Sequence, residues 1–120
     1  AIVNFQDKYS GLLYPIVEKG DRAYNWLESS CSSLFIYTIA KAIKAVIVDD
    51  SYKAVVDKAY EGLLERMVKV DGDHLELSGI CIGTSAGEYD YYVGRPTSEN
   101  DLHGMGAFIL ACMAHHDISQ

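Results

Sequence analysis

The stretch Asn25–Ile47, NWLESSCSSLFIYTIAKAIKAVI, decides the fold of this chain. Small and polar residues fill its first part, and the apolar run that follows is interrupted by few polar side chains. One apolar row, at the three- and four-residue spacing of a helix face, comprises Ile36, Ala40, Ile43 and Ile47. A second row beside it comprises Phe35, Ile39, Ala42 and Val46. A helix this apolar needs neighbours on most sides, so only its polar N-terminal end is suited to contact a ligand.

The composition is that of a single folded domain. The chain has 120 residues, of which 49% are hydrophobic and 22% charged, values typical of globular proteins and unlike those of disordered chains. The net charge of −7 argues against a nucleic-acid partner and against an anionic membrane surface, since both require clustered Lys and Arg.

Cys31, Cys81 and Cys112 are widely spaced and odd in number. They match no metal-binding spacing and no complete disulfide framework, so we predict free thiols and expect no metal or cofactor. Free thiols favour a cytoplasmic location, while a periplasmic one stays open. The chain begins AIVNFQ, without an initiator Met, so we expect a processed or truncated polypeptide.

A second helix is predicted over residues 51–69, with Asp50 or Ser51 as its N-cap. Its apolar and charged positions separate onto two faces at helical spacing. The connection to the first helix is only about four residues long, which predicts a helical hairpin.

Residues 70–93 are predicted to form turns and short strands. Asp71-Gly72-Asp73 is typical of a solvated turn, and it lacks the further ligands that a calcium loop requires. Loose alternation over residues 74–82, and a tyrosine-rich run over 88–93, predict a small β-hairpin between helices.

A last helix is predicted over residues 102–116, capped by Asn100 or Asp101. Gly104 and Gly106 lower helix stability by about 1 kcal/mol each relative to Ala, which makes sense where backbone or ligand approaches closely. The side chains expected to face the core are Leu102, Met105, Ile109, Met113 and His116.

Several segments, taken in order, resemble glycoside hydrolase family 105, the unsaturated rhamnogalacturonyl hydrolases, and their family 88 relatives. The segments are residues 7–14 (DKYSGLLY), 28–37 (ESSCSSLFIY), 40–44 (AKAIK), 59–64 (AYEGLL), 89–92 (YDYY) and 99–108 (ENDLHGMGAF). The resemblance covers nearly the whole chain. It implies a mainly α fold, the C-terminal part of an (α/α)6 barrel of the six-hairpin glycosidase type, with a short β-hairpin between helices.

The resemblance also implies an activity. Family members remove a 4,5-unsaturated uronic acid from oligosaccharides that polysaccharide lyases produce, of the rhamnogalacturonan or pectin type. An aspartic acid protonates the C4=C5 double bond, water adds at C5, and the hemiketal that results collapses to release the sugar. In the family this aspartate precedes all of the matching segments, so we assign no catalytic residue within the chain.

The chain departs from the family pattern at two places. The usual Trp-Tyr-Gln of the first segment is Leu13-Tyr14-Pro15, which loses an aromatic face and an amide. The usual lysine of the last segment is His103.

Five residues are candidates for contacting the oligosaccharide, and each has a structural alternative: Tyr14, Glu28, Ser30, Arg95 and His103. Glu28 and Ser30 either bind a sugar or cap the helix, and Tyr14 either binds or packs. Arg95 either meets a uronate carboxylate with its planar fork or is simply solvated. For His103, the sequence does not identify an acid or a base as its partner.

Two functions stay open at this point. The first is a glycosidase that acts on unsaturated uronyl oligosaccharides, represented by its C-terminal portion. The second is a non-catalytic helical scaffold or a carbohydrate-binding remnant of such an enzyme. Half of a helical toroid exposes apolar surface, so we expect the chain to self-associate or to pack against the remainder of the same polypeptide.

Overall fold

The computed structural model describes residues 1–120, and the fold is mainly helical. The helices are α1 (Ser29–Lys44), α2 (Lys53–Met67), α3 (Tyr89–Val93) and α4 (Leu102–Ile118). The strands are β1 (Val68–Asp71), β2 (His74–Leu77), β3 (Ile80–Cys81) and β4 (Thr97–Ser98). Single 3₁₀ turns occupy Ile2–Phe5, Val17–Lys19 and Asp50–Tyr52. None of the helices is both long enough and apolar enough to span a bilayer.

α1 is the central element, and it packs most extensively on α4 and then on α2. Its apolar rows enter the core as predicted along most of their length, because Ile36, Ala40 and Ile43 are buried. The helix ends at Lys44, however, three residues before the predicted end. Val46 and Ile47 therefore lie in the following turn and are exposed. The buried core comprises Leu12, Leu13, Phe35, Ile36, Ile39, Ala40, Ile43, Val56, Ala59, Leu63, Leu77, Ile80, Phe108, Ala111, Ala114 and Ile118.

α2 confirms the second predicted helix, with shorter bounds. The N-cap position of α2 is Tyr52, whose side chain makes no capping hydrogen bond, so neither Asp50 nor Ser51 caps the helix. The Asp49 carboxylate, one residue before the predicted caps, accepts from the Ser51 backbone N–H at 2.8 Å. Asp49 caps the 3₁₀ turn that leads into α2. The helix also ends at Met67, because Val68 and Val70 are β-branched residues that favour the strand β1.

The β-hairpin is formed by segments other than the predicted pair. β1 and β2 pair antiparallel, with Asp71 opposite His74, so Gly72 and Asp73 form a two-residue loop. Gly72 has φ of +63°, as the first position of a tight hairpin turn requires. The run 88–93, predicted as a strand, contains the one-turn helix α3. The strand that pairs with β3 is β4, through Ile80–Ser98 and Cys81–Thr97.

α4 confirms the last predicted helix, but the predicted buried row was wrong. Leu102, Ile109 and Met113 are 87%, 52% and 63% exposed. The buried side of α4 instead carries mostly small residues, namely Gly104, Ala107, Ala111 and Ala114, together with Phe108 and Ile118. Small side chains let two helices approach closely, and almost every position of α4 is apolar, so periodicity could not identify the buried face.

The two residues before α4 have separate roles. The Asp101 carboxylate caps the helix by accepting from the His103 N–H at 3.2 Å. Asn100 has φ of +56°, and its side-chain oxygen accepts from the Leu77 N–H at 2.7 Å. Its own N–H donates to the Leu77 carbonyl at 2.9 Å. Asn100 therefore fixes the connector onto β2.

Candidate functional site

The N-terminal end of α1 is the floor of a cavity of about 270 Å³. The cavity lies between the loop that precedes α1, the strand β3 with its following loop, α3, and the start of α4. Its lining comprises Pro15, Glu28, Ser30, Cys31, Cys81, Gly83, Thr84, Tyr92 and His103. Three of the five predicted residues, Glu28, Ser30 and His103, thus meet in one place.

Glu28 is the N-cap of α1 and is 3% exposed. One carboxylate oxygen accepts from the Cys31 N–H at 2.6 Å, and the other accepts from the Cys81 N–H at 2.9 Å. The Ser30 hydroxyl lies 2.8 and 2.9 Å from the two oxygens. A carboxylate at a helix start also interacts favourably with the helix dipole. Glu28 therefore has its hydrogen-bonding capacity used within the chain, where it joins α1 to β3.

Backbone and serine hydrogen bonds reinforce the same junction. The Glu28 N–H donates to the Leu13 carbonyl at 3.0 Å, and the Leu13 N–H donates to the Ser32 hydroxyl at 2.9 Å. The Ser29 hydroxyl donates to the Ser78 carbonyl. Most of the serines at the start of α1 are therefore buried, and their hydrogen bonds hold the floor of the cavity in a fixed position.

The Cys31 thiol lies beside Glu28, and burial together with the nearby carboxylate charge raises its pKa well above the usual range. A thiol in this state stays protonated at neutral pH, so Cys31 lacks the thiolate character of a nucleophile. No three His, Cys, Asp or Glu side chains come close enough together to hold a metal ion.

His103 has an acidic partner that sequence reasoning missed. Its Nδ1 lies 2.5 Å from the Asp101 carboxylate, an arrangement that fixes the ring and directs Nε2 away from Asp101. Asp101 is the N-cap of α4 and His103 is the second residue of the helix, and the side chains at these two positions lie close together. This two-residue spacing was the signal in the sequence for the pair. His103 Nε2 and the Tyr92 and Thr84 hydroxyls have no partner in the chain. These groups and the Tyr92 ring suit the polar edges and apolar face of a sugar.

The other two predicted residues lie outside this cavity. Tyr14 lines a neighbouring cavity of about 580 Å³, where burial and the nearby Asp7 carboxylate raise the pKa of its hydroxyl. Arg95 is at the rim, where its Nε donates to the Gly83 carbonyl at 2.7 Å. Gly83 itself lines the cavity, so Arg95 braces that wall. Pro15, Thr84 and Tyr92 were not predicted as site residues.

The chain is similar in sequence to two known bacterial proteins. Protein Atu3128 of Agrobacterium fabrum is 27% identical over 85% of this chain and 50% of its own length. A 24.9 kDa protein in the picA locus of Rhizobium radiobacter gives the same values. The chain therefore spans about half the length of the curated relatives it matches.

Solved structures share the fold. A glycoside hydrolase from family 105 of C. acetobutylicum ATCC 824 superposes with a TM-score of 0.89 at 28% identity, over 97% of this chain and 34% of that one. A possible member of the GH105 family from Klebsiella pneumoniae gives 0.76 at 26% identity, over 98% and 29%. The helices and short strand pairs are consistent with a partial helical barrel of the six-hairpin type, as predicted. The sequence model of Glycosyl Hydrolase Family 88 matches residues 1–118, and the chain belongs to that family.

Proposed function

We propose that this chain is the C-terminal part of an (α/α)6 enzyme that releases 4,5-unsaturated uronic acid from lyase-generated oligosaccharides of the rhamnogalacturonan or pectin type. The observation that carries the proposal is the cavity at the α1 N-terminus, in a chain of family 88. It combines an aromatic ring, free hydroxyls and an imidazole held by a carboxylate.

The cavity residues bind and orient the sugar in this proposal. Tyr92 offers its ring face and hydroxyl, and His103 offers Nε2 while Asp101 holds Nδ1. Glu28 and Ser30 support the floor, and their role toward the substrate is to keep α1 and β3 in register. Correct orientation of a bound substrate is itself a large part of catalysis.

The acid that protonates the C4=C5 double bond lies outside residues 1–120 in this proposal. Glu28 is the only carboxylate among the lining residues, and its oxygens already accept hydrogen bonds from two backbone N–H groups. A general acid has to give its proton to the substrate, and a carboxylate engaged in this way is poorly suited to do so.

The test compares the 120-residue chain with the longest polypeptide that its gene encodes. Both are incubated with rhamnogalacturonan and pectin oligosaccharides from a lyase digest, and the ultraviolet absorbance of the unsaturated uronate is followed. We expect the absorbance to fall with the longer polypeptide and to persist with the chain alone. An unchanged absorbance with the longer polypeptide contradicts the proposal.

A variant pair locates the site. His103→Ala in the longer polypeptide is expected to raise KM, because it removes the free Nε2 from the cavity. His74→Ala is the matched control, since His74 is exposed on β2 and lies outside the cavity. An equal effect of both variants contradicts a role of His103 in binding.

A non-catalytic carbohydrate-binding remnant is the second candidate function. Leu13 and Pro15 favour it, because they replace an aromatic residue and an amide of the family pattern, and Leu13 is 3% exposed. This function predicts binding of the oligosaccharides without turnover by either polypeptide. Turnover by the longer polypeptide excludes it.

A further inference from the structure

Tyr24 occupies a backbone position that favours glycine. Residues 22–25 form a turn, which is closed by a hydrogen bond of 3.4 Å from the Asn25 N–H to the Arg22 carbonyl. Tyr24 is the third residue of this turn, and its φ is +68°. Turns with a left-handed third residue usually carry Gly or Asn there, because a Cβ is strained in that conformation. The tyrosine therefore strains the backbone of the turn.

The surrounding residues impose this conformation on the turn. The Asn25 side-chain amide donates to the Ile16 carbonyl at 3.0 Å and to the Lys19 carbonyl at 2.9 Å. From the other side, the Tyr89 hydroxyl donates to the Ala23 carbonyl at 2.8 Å. Because the turn is held from both sides, the backbone keeps its left-handed position whatever side chain it carries there.

Few contacts of the Tyr24 side chain offset this strain. Tyr24 is 86% exposed. Its hydroxyl makes no hydrogen bond within the chain, and no other aromatic or cationic side chain lies against its ring. Strained residues are concentrated at functional sites. An exposed aromatic ring at such a position therefore indicates contact with another molecule.

The turn is attached to the helix that forms a wall of the cavity. Tyr89, which bonds to the turn, belongs to α3, and Tyr92 of the same helix lines the cavity at the start of α1. That cavity measures about 270 Å³, whereas sites that enclose a drug-sized ligand usually measure about 300–1,000 Å³. An oligosaccharide bound in the cavity therefore extends beyond it onto the surface of the protein.

We infer that Tyr24 is a stacking platform for a sugar ring of the oligosaccharide that lies outside the cavity. The inference rests on the proposed function and deepens it, because it assigns a binding residue for the sugars beyond the unsaturated end. The tyrosine ring matches the apolar face of a pyranose, and its hydroxyl suits the polar edge. Since the turn is already fixed, little conformational entropy is lost when a sugar stacks on it. The contact does not depend on the charge of that sugar.

The test measures binding to the 120-residue chain by calorimetry, with lyase-generated unsaturated oligosaccharides of two, four and six sugars. Tyr24→Gly removes the ring and relieves the backbone, and Tyr24→Phe keeps the ring. Val46→Gly is the matched control, because Val46 also has a left-handed φ, of +59°, and is also 86% exposed. It follows the C-terminal end of α1, whereas the cavity lies at the N-terminal end. Thermal melts of each variant accompany the binding measurements.

We expect the longer oligosaccharides to bind more tightly than the disaccharide. Tyr24→Gly should weaken the hexasaccharide by about threefold to tenfold, the range of one aromatic contact, and the disaccharide less. Tyr24→Phe should retain most of the affinity, because the ring is preserved, and Val46→Gly should retain all of it. Both glycine variants should melt at a higher temperature than wild type, because each relieves a left-handed side chain.

Four results overturn the inference. They are equal affinities of wild type and Tyr24→Gly, an equal loss in Val46→Gly, no binding of any oligosaccharide, and a lower melting temperature of Tyr24→Gly than of wild type. The last result would mean that the ring packs within the chain, so that its removal destabilises the fold.

Saturated oligosaccharides separate this inference from the proposed function. If a saturated hexasaccharide binds with the same dependence on Tyr24 while the longer polypeptide shows no turnover, the platform stands and the proposed reaction fails. If the longer polypeptide turns over its substrate and Tyr24→Gly changes neither the affinity nor KM, the reaction stands and the platform fails.

Discussion

The Glu28 carboxylate accepts a 2.9 Å hydrogen bond from the backbone N–H of Cys81, which lies 53 residues further along the chain. This bond and the 2.6 Å cap to the Cys31 N–H connect the start of α1 to β3 through one buried side chain. The position of the cavity floor relative to its wall depends on that connection.

Replacing Glu28 by Gln tests the connection. The new amide retains one acceptor but turns an NH₂ group toward a backbone N–H, which leaves a buried donor without a partner. We expect a loss of about 1–3 kcal/mol in the free energy of unfolding, measured by urea denaturation. Glu88→Gln is the control, because Glu88 is exposed and its side chain caps nothing. A loss below that of the control contradicts the connecting role.

Gly104 and Gly106 form a matched pair on α4. A Cβ at Gly104 would lie 2.5 Å from Ile80 Cδ1, whereas a Cβ at Gly106 would have nothing within 4 Å. We expect Gly104→Ala to lower the melting temperature and to separate β3 from α4. Gly106→Ala should raise stability by about 1 kcal/mol through helix propensity alone. Equal effects of the two substitutions in circular dichroism melts contradict the close packing at Gly104.

The closest approach at Gly104 illustrates what the sequence could and could not predict. The type and approximate extent of α1, α2 and α4 followed from periodicity and capping residues, since these are local properties. The expectation that backbone or ligand closely approaches the glycines of α4 was right for Gly104 only in the closeness of the contact, because the neighbour there is the Ile80 side chain. It was wrong for Gly106, because a sequence does not state which side of an apolar helix faces its neighbour.

The same limit explains the errors in the site and the strands. Glu28 and Ser30 were recognisable at a polar helix start, and His103 from its place in a family segment. The partner of Glu28 was not, because Cys81 is 53 residues away in the sequence and comes close to Glu28 only in the folded chain. The tyrosine run at 88–93 has strand propensity, but here it forms one helical turn whose rings hold two arginines.

Asp7 makes stability depend on acid pH. Burial alone would raise its pKa, but hydrogen bonds of 2.7 Å from the Ser10 N–H and hydroxyl outweigh that effect and lower the pKa below the usual 3.8. The stabilisation is therefore complete above pH 3.8 and is lost as the pH falls through the lowered value. Asp7→Asn should cost about 1 kcal/mol or less at neutral pH.

Thermal melts of wild type and Asp7→Asn across the acid range check this sign. Their difference should be largest near neutral pH and should shrink as the pH falls below 3.8 and through the lowered pKa of Asp7. Asp73→Asn is the control, because Asp73 lies in an exposed turn and should show no such convergence. A difference that grows on acidification contradicts the assignment.

Val46 holds the left-handed position that ends α1. Its φ is +59°, and the Ile47 N–H donates to the Ala42 carbonyl while the Val46 N–H donates to that of Ile43, both at 2.9 Å. This is a Schellman ending, which usually places Gly at that position. Val46 is 86% exposed, so Val46→Gly removes strain without losing contacts. We expect about 1 kcal/mol of stabilisation in urea denaturation. Val70→Gly, on an exposed strand position, should destabilise instead.

The outer side of α4 predicts association. Leu102, Ile109 and Met113 are more than half exposed there, at 87%, 52% and 63%, and Leu34 of α1 is 48% exposed. Apolar surface of this extent is rarely left open to water. We therefore expect the 120-residue chain to elute above its monomer mass of 13.3 kDa in size exclusion with light scattering.

Negative charge on the exposed side of α4 should prevent this association. Ile109→Glu with Met113→Glu places two carboxylates on the exposed side of α4, where burial against another apolar surface becomes costly, and should yield the monomer. Leu75→Glu with Ile82→Glu is the control, because both residues are exposed, at 38% and 47%, and lie outside α4, Leu75 on β2 and Ile82 directly after β3. The energy that drives association has to come from the apolar area that is buried. A stable wild-type monomer, or dissociation by the control pair alone, would therefore show that the exposed side of α4 is not the associating surface.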